Sequence, residues 1–356
     1  MRIFYAVQAT GNGHIARALE ILPYLKQYGD VDIFLSGTNA QLGQGLPIVY
    51  RSKGLSLEYN KKGGLDYWKI AKKLKPAMLV KDALKLPLHQ YDLILNDFES
   101  ITSIACKLKG LPSVHFGHQA SFRSPLVPRP LKKDTLGEWV LKNYCTGSVN
   151  LGLHFKQYDD NINTPIIKSA VVNANPTDRG YVTVYLPQYP GNEIATYLKS
   201  LTYIHFQVFT RETKTIKQLD NITFYPIDNE MFTQSLIDCH GIITGGGFET
   251  PAEALYLGKR VMAMPIHGQY EQWCNAAALQ EWNVPVLENL TTRTGVSIHR
   301  WYYGDAPTIK PTFNENAAII RWIMDKSRNL IHNNDNQKSY MENADLLTTI
   351  NPVSRL

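Results

Sequence analysis

Apolar runs of strand length alternate along this chain with stretches whose apolar residues recur every three to four positions, the pattern of parallel strands joined by crossover helices. In the first half, strands are predicted at 2–7, 31–35, 91–95, 113–116 and 149–153, with helices at 14–27, 67–85, 99–109 and 134–143. In the second half, strands are predicted at 181–186, 204–209, 222–225, 241–244 and 261–264, with helices at 192–200, 230–237, 249–257, 270–282 and 314–326. The fold class is therefore α/β, with two units at 1–172 and 181–311. Between them, the polar stretch from Asn173 to Gly180, with Pro176 inside it, reads as a hinge. A C-terminal segment, 312–356, is helical in pattern to about 331 and long enough to cross back to the first unit; no element is assigned to its polar end.

Composition narrows the class. With 356 residues, 44% hydrophobic and 19% charged, the chain suits two cores of ordinary size and excludes collagen-like, disordered and coiled-coil readings. No run of eighteen apolar residues and no signal peptide is legible, so a cytoplasmic location is expected. Cys106, Cys145, Cys239 and Cys274 stand alone, without zinc spacing, and read as core residues. No metal, cofactor or nucleic-acid partner is expected.

Charge is uneven: residues 1–150 hold 20 basic against 11 acidic residues, a net of +9, and the remainder is acidic. Eight lysines fall within 61–85, interleaved with Tyr67, Trp68, Ile70 and Met78. Such a segment suits the anionic inner face of a membrane, which would make the protein peripheral. The plainer reading is a solvated helix face beside a core stripe.

Three places carry candidate chemistry. The first is Gly11, Asn12, Gly13 and His14, between a strand and a helix. The turn lacks the third glycine of a dinucleotide fingerprint, because Ala16 stands there, so a dinucleotide is not expected. His14 at a sheet edge suits a general base, and Asp97, ending its own strand, suits the carboxylate that fixes the imidazole tautomer. The alternatives are a turn-capping histidine and an aspartate that caps the next helix. His118 and Gln119 follow another strand and, together with Gly11, Asn12 and Gly13, are candidates for acceptor binding.

The second place is Gly245, Gly246 and Gly247, followed by Phe248 and a helix that contains Glu253. Glycines at a helix start make an anion cradle, and a diphosphate held by backbone N–H groups needs no metal. The third is the loop after strand 261–264, where His267, Gln269, Glu271, Gln272 and Asn275 offer groups that match sugar hydroxyls. One competing motif, Asp30 and Asp32, spells the D-x-D of metal-dependent sugar transferases but opens a strand after a helix, where acidic turn residues are common.

The run GIITGGGFETPAEALYLGKRVMAMPIHGQYEQWCNAAAL, Gly241 to Leu279, resembles the donor-binding segment of GT-B glycosyltransferases. It is most similar in kind to the enzymes that add N-acetylglucosamine to the peptidoglycan lipid precursor and to UDP-glycosyltransferases. GNGHIARALEI and DLILNDFE resemble that family's N-terminal loop and aspartate-bearing strand. The resemblance implies two Rossmann-like domains facing across a cleft and inversion at the anomeric carbon, with UDP as the usual leaving group. It implies that Gly245, Gly246 and Gly247 hold the donor diphosphate, Glu253 the ribose, Glu271 and Gln272 the donor sugar, with Asn275 beginning the supporting helix. The partners implied are a nucleotide-sugar donor and a hydroxyl acceptor: lipid, glycan or small molecule. VHFGHQASF, Val114 to Phe122, departs from the family's H-E-Q-N element, which leaves the acceptor open. A nucleotide-sugar 2-epimerase and a non-catalytic nucleotide-sugar-binding protein share the architecture; an epimerase would change its substrate with no acceptor present.

Overall fold

A computed structural model of the chain describes residues 1–9, 11–37, 45–54, 76–304 and 309–331. The first unit runs β1 (Arg2–Gln8), α1 (Asn12–Leu25), β2 (Asp30–Ser36), β3 (Ile48–Ser52), α2 (Pro76–Lys85), β4 (Leu93–Asp97), α3 (Ser100–Lys109) and β5 (Val114–Gly117). A 3-10 helix (His118–Arg123), α4 (Thr135–Asn143), β6 (Val149–Leu153), β7 (Ile162–Asn163) and α5 (Ser169–Val172) complete it. Its seven strands are all parallel, in the order β3-β2-β1-β4-β5-β6-β7.

The second unit runs β8 (Tyr181–Tyr185), α6 (Gly191–Leu198), β9 (His205–Thr210), β10 (Lys217–Leu219), β11 (Ile222–Pro226), α7 (Asn229–Asp238) and β12 (Gly241–Thr244). It continues through α8 (Glu249–Tyr256), β13 (Arg260–Ala263), α9 (Tyr270–Gln280) and α10 (Thr294–Tyr303). The strand order is β10-β11-β9-β8-β12-β13, parallel except for β10. A last described helix, α11, spans 316–331.

Both sheets are covered on two faces, which is why their central strands read as nearly unbroken apolar runs. On one face of the first sheet Phe4, Phe34 and Ile94 pack with Ala83 of α2 and Ile101 of α3. On the other, Tyr5, Val7 and Ile33 pack with Ile15 and Ile21 of α1, in a cluster that continues into Ile242 and Leu255 of the second unit. Ile319, Ile320 and Ile323 of α11 join that shared cluster. Asn316 of α11 bonds both the N–H and the carbonyl of Ile167, at 3.1 and 2.7 Å. The stretch 173–180 forms neither helix nor strand. From Thr177 onward it is pinned to the second unit, through Thr177 Oγ1 to Asp238 at 2.7 Å and Lys259 Nζ to the Thr177 carbonyl.

In each sheet the strand order reverses once beside the first strand of the unit, between β1 and β4 and between β8 and β12. Ligands of open α/β sheets bind at such reversals, beyond the carboxyl ends of the strands. His14 follows β1, Asp97 ends β4 and the triple glycine follows β12, so both reversals carry the candidate residues. Asp30 and Asp32 lie at the opposite, amino end of β2, where Asp32 accepts from Tyr91 at 2.7 Å and Arg2 at 3.2 Å. Of the lysine-rich segment, 61–75 lie outside the described residues, and 76–85 form α2. No described helix is long and apolar enough to cross a membrane.

Candidate active site

The turn between β4 and α3 is locked by its own side chains. Asn96 donates to the Glu99 carbonyl and accepts from its N–H, at 2.8 and 2.7 Å. Glu99, fully buried, caps α3 by accepting from Ile101 and Thr102. The cap is therefore Glu99, which leaves Asp97 for other work. Between them Phe98 adopts a left-handed φ of 57°, uncommon for a bulky residue, and lays its ring parallel to the His14 imidazole at 6.3 Å.

Asp97 is wholly buried and gathers three side chains. His14 Nδ1 lies 2.8 Å from Oδ1, Arg17 contributes Nε at 2.9 Å and Nη2 at 2.8 Å, and the Tyr5 hydroxyl donates at 3.3 Å. Burial works to raise the Asp97 carboxyl, but the charges and hydrogen bonds of Arg17 and His14 outweigh it and hold the group well below the usual carboxylate range. Burial, then Asp97, push the Tyr5 hydroxyl well up, so it remains a donor. An ionised carboxylate has no proton to give, so the His14 contact is attractive only when Nδ1 carries the hydrogen. Arg17 Nη2, which can only donate, also lies 2.9 Å from Nδ1, so the two neighbours compete for that nitrogen; in the tautomer that bonds Asp97 the lone pair is on Nε2.

Arg17 was not legible as a site residue in the motif, although it lies three residues after His14 and hence on the same face of α1. Its third nitrogen, Nη1, crosses to the second unit and meets Glu249 Oε1 at 2.7 Å. Burial works to lower the guanidinium pKa, yet Asp97 and Glu249 hold it above its ordinary value. Glu249 is the first residue of α8 and stands against the glycine turn of α1: a Cβ on Gly13 would meet its carboxylate at 2.7 Å. Gly11 precedes α1 in extended conformation, and Asn12 is its first residue.

On the second unit, the Gly245–Gly247 turn is shaped by amides. Gln272 Oε1 accepts from the N–H of Gly246 and of Ile266, both at 3.0 Å, and its Nε2 donates to Gln269 at 2.8 Å. A Cβ at Gly246 would sit 2.6 Å from the Gln272 carbonyl, so only glycine lets α9 approach this closely; around Gly247 there is open space. Asn275, fully buried, bridges the Gly246 carbonyl at 3.0 Å and His118 Nε2 at 2.8 Å.

The seam between units holds more of the predicted residues. Phe248 stacks on His118 with ring centroids 3.9 Å apart, and Gln119 donates to Glu271 at 3.1 Å. His118 also reaches the Leu153 carbonyl at 3.0 Å and is 1% exposed, so it lies inside the seam. Glu253 pairs with Lys168 of the first unit at 3.2 Å. Burial pushes the Glu253 carboxyl up to about 7, opposed by Lys168 and reinforced by Glu249 and Glu20. Arg17, Lys168, Phe248, Glu249 and Glu253 enclose a cavity of about 10 Å³, room for one water at most. His267 stands apart, exposed and bonded to Asn289 at 2.9 Å. Among the described residues no group of three or more His, Cys, Asp or Glu side chains could hold a metal ion.

Residues 1–294 match glycosyl transferase family 1. The chain belongs to that family. It is a glycosyltransferase with two parallel-dominated α/β sheets in the GT-B arrangement, and solved structures share the fold. An Arabidopsis thaliana UGT89C1 complexed with quercetin is 13% identical at a TM-score of 0.60, covering 90% of this chain and 98% of its own. MurG of Acinetobacter baumannii is 14% identical at 0.56, covering 91% and 98%. The glycosyltransferase VinC, in complex with dTDP, is 16% identical at 0.55, covering 94% and 100%. No curated protein matches the glycosyltransferase in sequence.

Proposed function

We propose that this glycosyltransferase moves a hexose from a nucleotide diphosphate donor to a hydroxyl acceptor with inversion, in a single displacement across the cleft. The observation that carries the reading is the His14–Asp97 pair at the carboxyl edge of the first sheet, Nδ1 to Oδ1 at 2.8 Å, whose Nδ1–H tautomer puts the lone pair on Nε2. The acceptor O–H gives its proton to His14 Nε2 as its oxygen bonds to the anomeric carbon. The bond from that carbon to the diphosphate oxygen breaks, and the leaving group takes the electron pair. Backbone N–H groups at the start of α8 meet the developing negative charge, as a helix N-terminus does for phosphates, with no divalent ion required. Two similar glycosyltransferases, VinC and SsfS6, are seen with thymidine diphosphate, which supports a nucleoside diphosphate here; the resemblance in Gly241 to Leu279 favours UDP. Glu253, Glu271 and Gln272 are the donor-side residues in this reading. Closure about 173–180 excludes water from the reacting carbon. The acceptor is a lipid, glycan or small-molecule hydroxyl, and a lipid would place the protein at the inner membrane face.

A thermal-shift series tests it. Nucleoside diphosphates should stabilise by about 2.7 kcal/mol at a hundredfold excess over Kd, with UDP foremost and uridine far behind. Stabilisation by uridine equal to that by UDP would remove the diphosphate site. Conversion of a UDP-sugar with no acceptor present would favour an epimerase instead.

A further inference from the structure

Two helices begin at the same point of the cleft, α1 from the first unit and α8 from the second, and neither has a side-chain cap. Their N-terminal amides carry partial positive charge, and the Arg17 guanidinium, 2% exposed, adds a full one. Three sources of positive charge from two domains thus converge. Asp97 balances the guanidinium on one side, and on the other stands a second carboxylate of the chain itself, Glu249, at 2.7 Å from Arg17 Nη1 and against Gly13. The arm of Arg17 that makes this contact is the one Asp97 does not use, since Nε and Nη2 are committed to that carboxylate.

We propose that Glu249 is a placeholder for the donor diphosphate. In the resting protein its carboxylate occupies an anion subsite formed by Arg17 Nη1 and the start of α1, opposite the glycine turn. Donor binding exchanges one anion for another: Glu249 swings out and Arg17 Nη1 turns to a phosphate oxygen. The cross-cleft ion pair opens in the same step. With the pair closed, the cavity beside it, about 10 Å³, has no room for a phosphate. Exchange leaves the His14–Asp97 bond untouched, because Asp97 keeps its two contacts with Arg17. Asp97 already balances the guanidinium through Nε and Nη2; Glu249 satisfies the remaining Nη1 donor until substrate arrives. This inference rests on the donor reading above.

Calorimetric titration of the wild-type protein and of Glu249→Gln and Glu249→Ala with UDP, inorganic pyrophosphate and uridine decides it. Glu249 is partly exposed and its loss leaves Arg17 paired with Asp97, so both variants should fold. If the self-occupied state holds about nine-tenths of the resting population, removing the competitor tightens UDP and pyrophosphate binding about tenfold and leaves uridine unchanged. In turnover the gain appears as a lower donor KM. Equal or weaker UDP binding by the variants overturns the placeholder while leaving the donor reading intact, as does a gain shared by uridine. Failure of UDP and pyrophosphate to bind any of the three proteins overturns the donor reading and this inference with it.

Discussion

The two walls of the cleft handle charge by different means. On the first unit, the ionisable side chains of Tyr5, His14 and Arg17 gather on the buried Asp97 carboxylate, each within hydrogen-bond reach of it. On the second, the glycine turn is held by neutral amides, Gln269, Gln272 and Asn275, and presents backbone dipoles. A wall that must accept a proton needs a group whose protonation can change and a neighbour that fixes its tautomer. A wall that must grip a diphosphate needs fixed dipoles that pay no reorganisation when charge develops. The difference predicts separable losses: changes to the His14–Asp97 pair should strike turnover, and changes to the glycine turn should strike nucleotide binding.

The largest effect is expected from His14→Ala. It removes the base while leaving Arg17 on Asp97, so kcat should fall by about 10²–10⁴, the usual worth of a positioned general base, with UDP affinity within about twofold of wild type. Stopped turnover accompanied by lost UDP binding would erase the distinction between the walls.

The second wall was almost wholly legible in the sequence because it is local. Strand, glycines, helix and amide loop follow one another within Gly241 to Asn275, and the turn chemistry of each is visible in order. The first wall is assembled from positions 5, 14, 17 and 97, with 249 from the other unit. His14 and Asp97 could be read from their places at strand ends. Tyr5 hides in a strand interior, and nothing in the sequence singled out Glu249, which only the fold sets against Arg17. Among elements, β3, β7 and β10 escaped the pattern: β7 is two residues, β10 is exposed throughout, and β3 is an edge strand with no buried residue. The helices α5 and α10 were missed as well. Strand β4 begins two residues later than predicted, at Leu93, after a 3-10 turn at Leu88–Gln90.

A milder test of the second wall is Gly246→Ala. The added methyl meets the Gln272 backbone carbonyl at 2.6 Å, and a helix backbone yields less readily than a flexible side chain. Overpacking of this kind costs about 1–3 kcal/mol. Part of that should appear as a lowered Tm and part as UDP binding weakened about tenfold, with kcat at saturating donor nearly unchanged. A fall in kcat with donor affinity intact would mean that the turn positions the reacting carbon and does not merely grip the diphosphate.

The smallest expected effect is on stability against pH, and here the walls should differ in sign. On the first unit His115, His118 and His154 are fully buried, and burial foremost lowers the pKa of each, His115 to about 4. The unfolded chain titrates these rings near 6.5, so below that pH it binds more protons than the folded chain. Their contribution is complete above pH 6.5 and is lost as pH falls toward 4. Glu253 on the second unit runs the other way: its folded pKa of about 7 exceeds the unfolded value, so its contribution is complete at low pH and declines as pH rises through 7. Denaturant unfolding of His115→Phe should show about 1 kcal/mol less loss than wild type between pH 6.5 and 5.5. Glu253→Gln should instead flatten the decline between pH 5 and 8. If both substitutions altered the same limb of the profile, the contrast in sign between the two walls would be wrong.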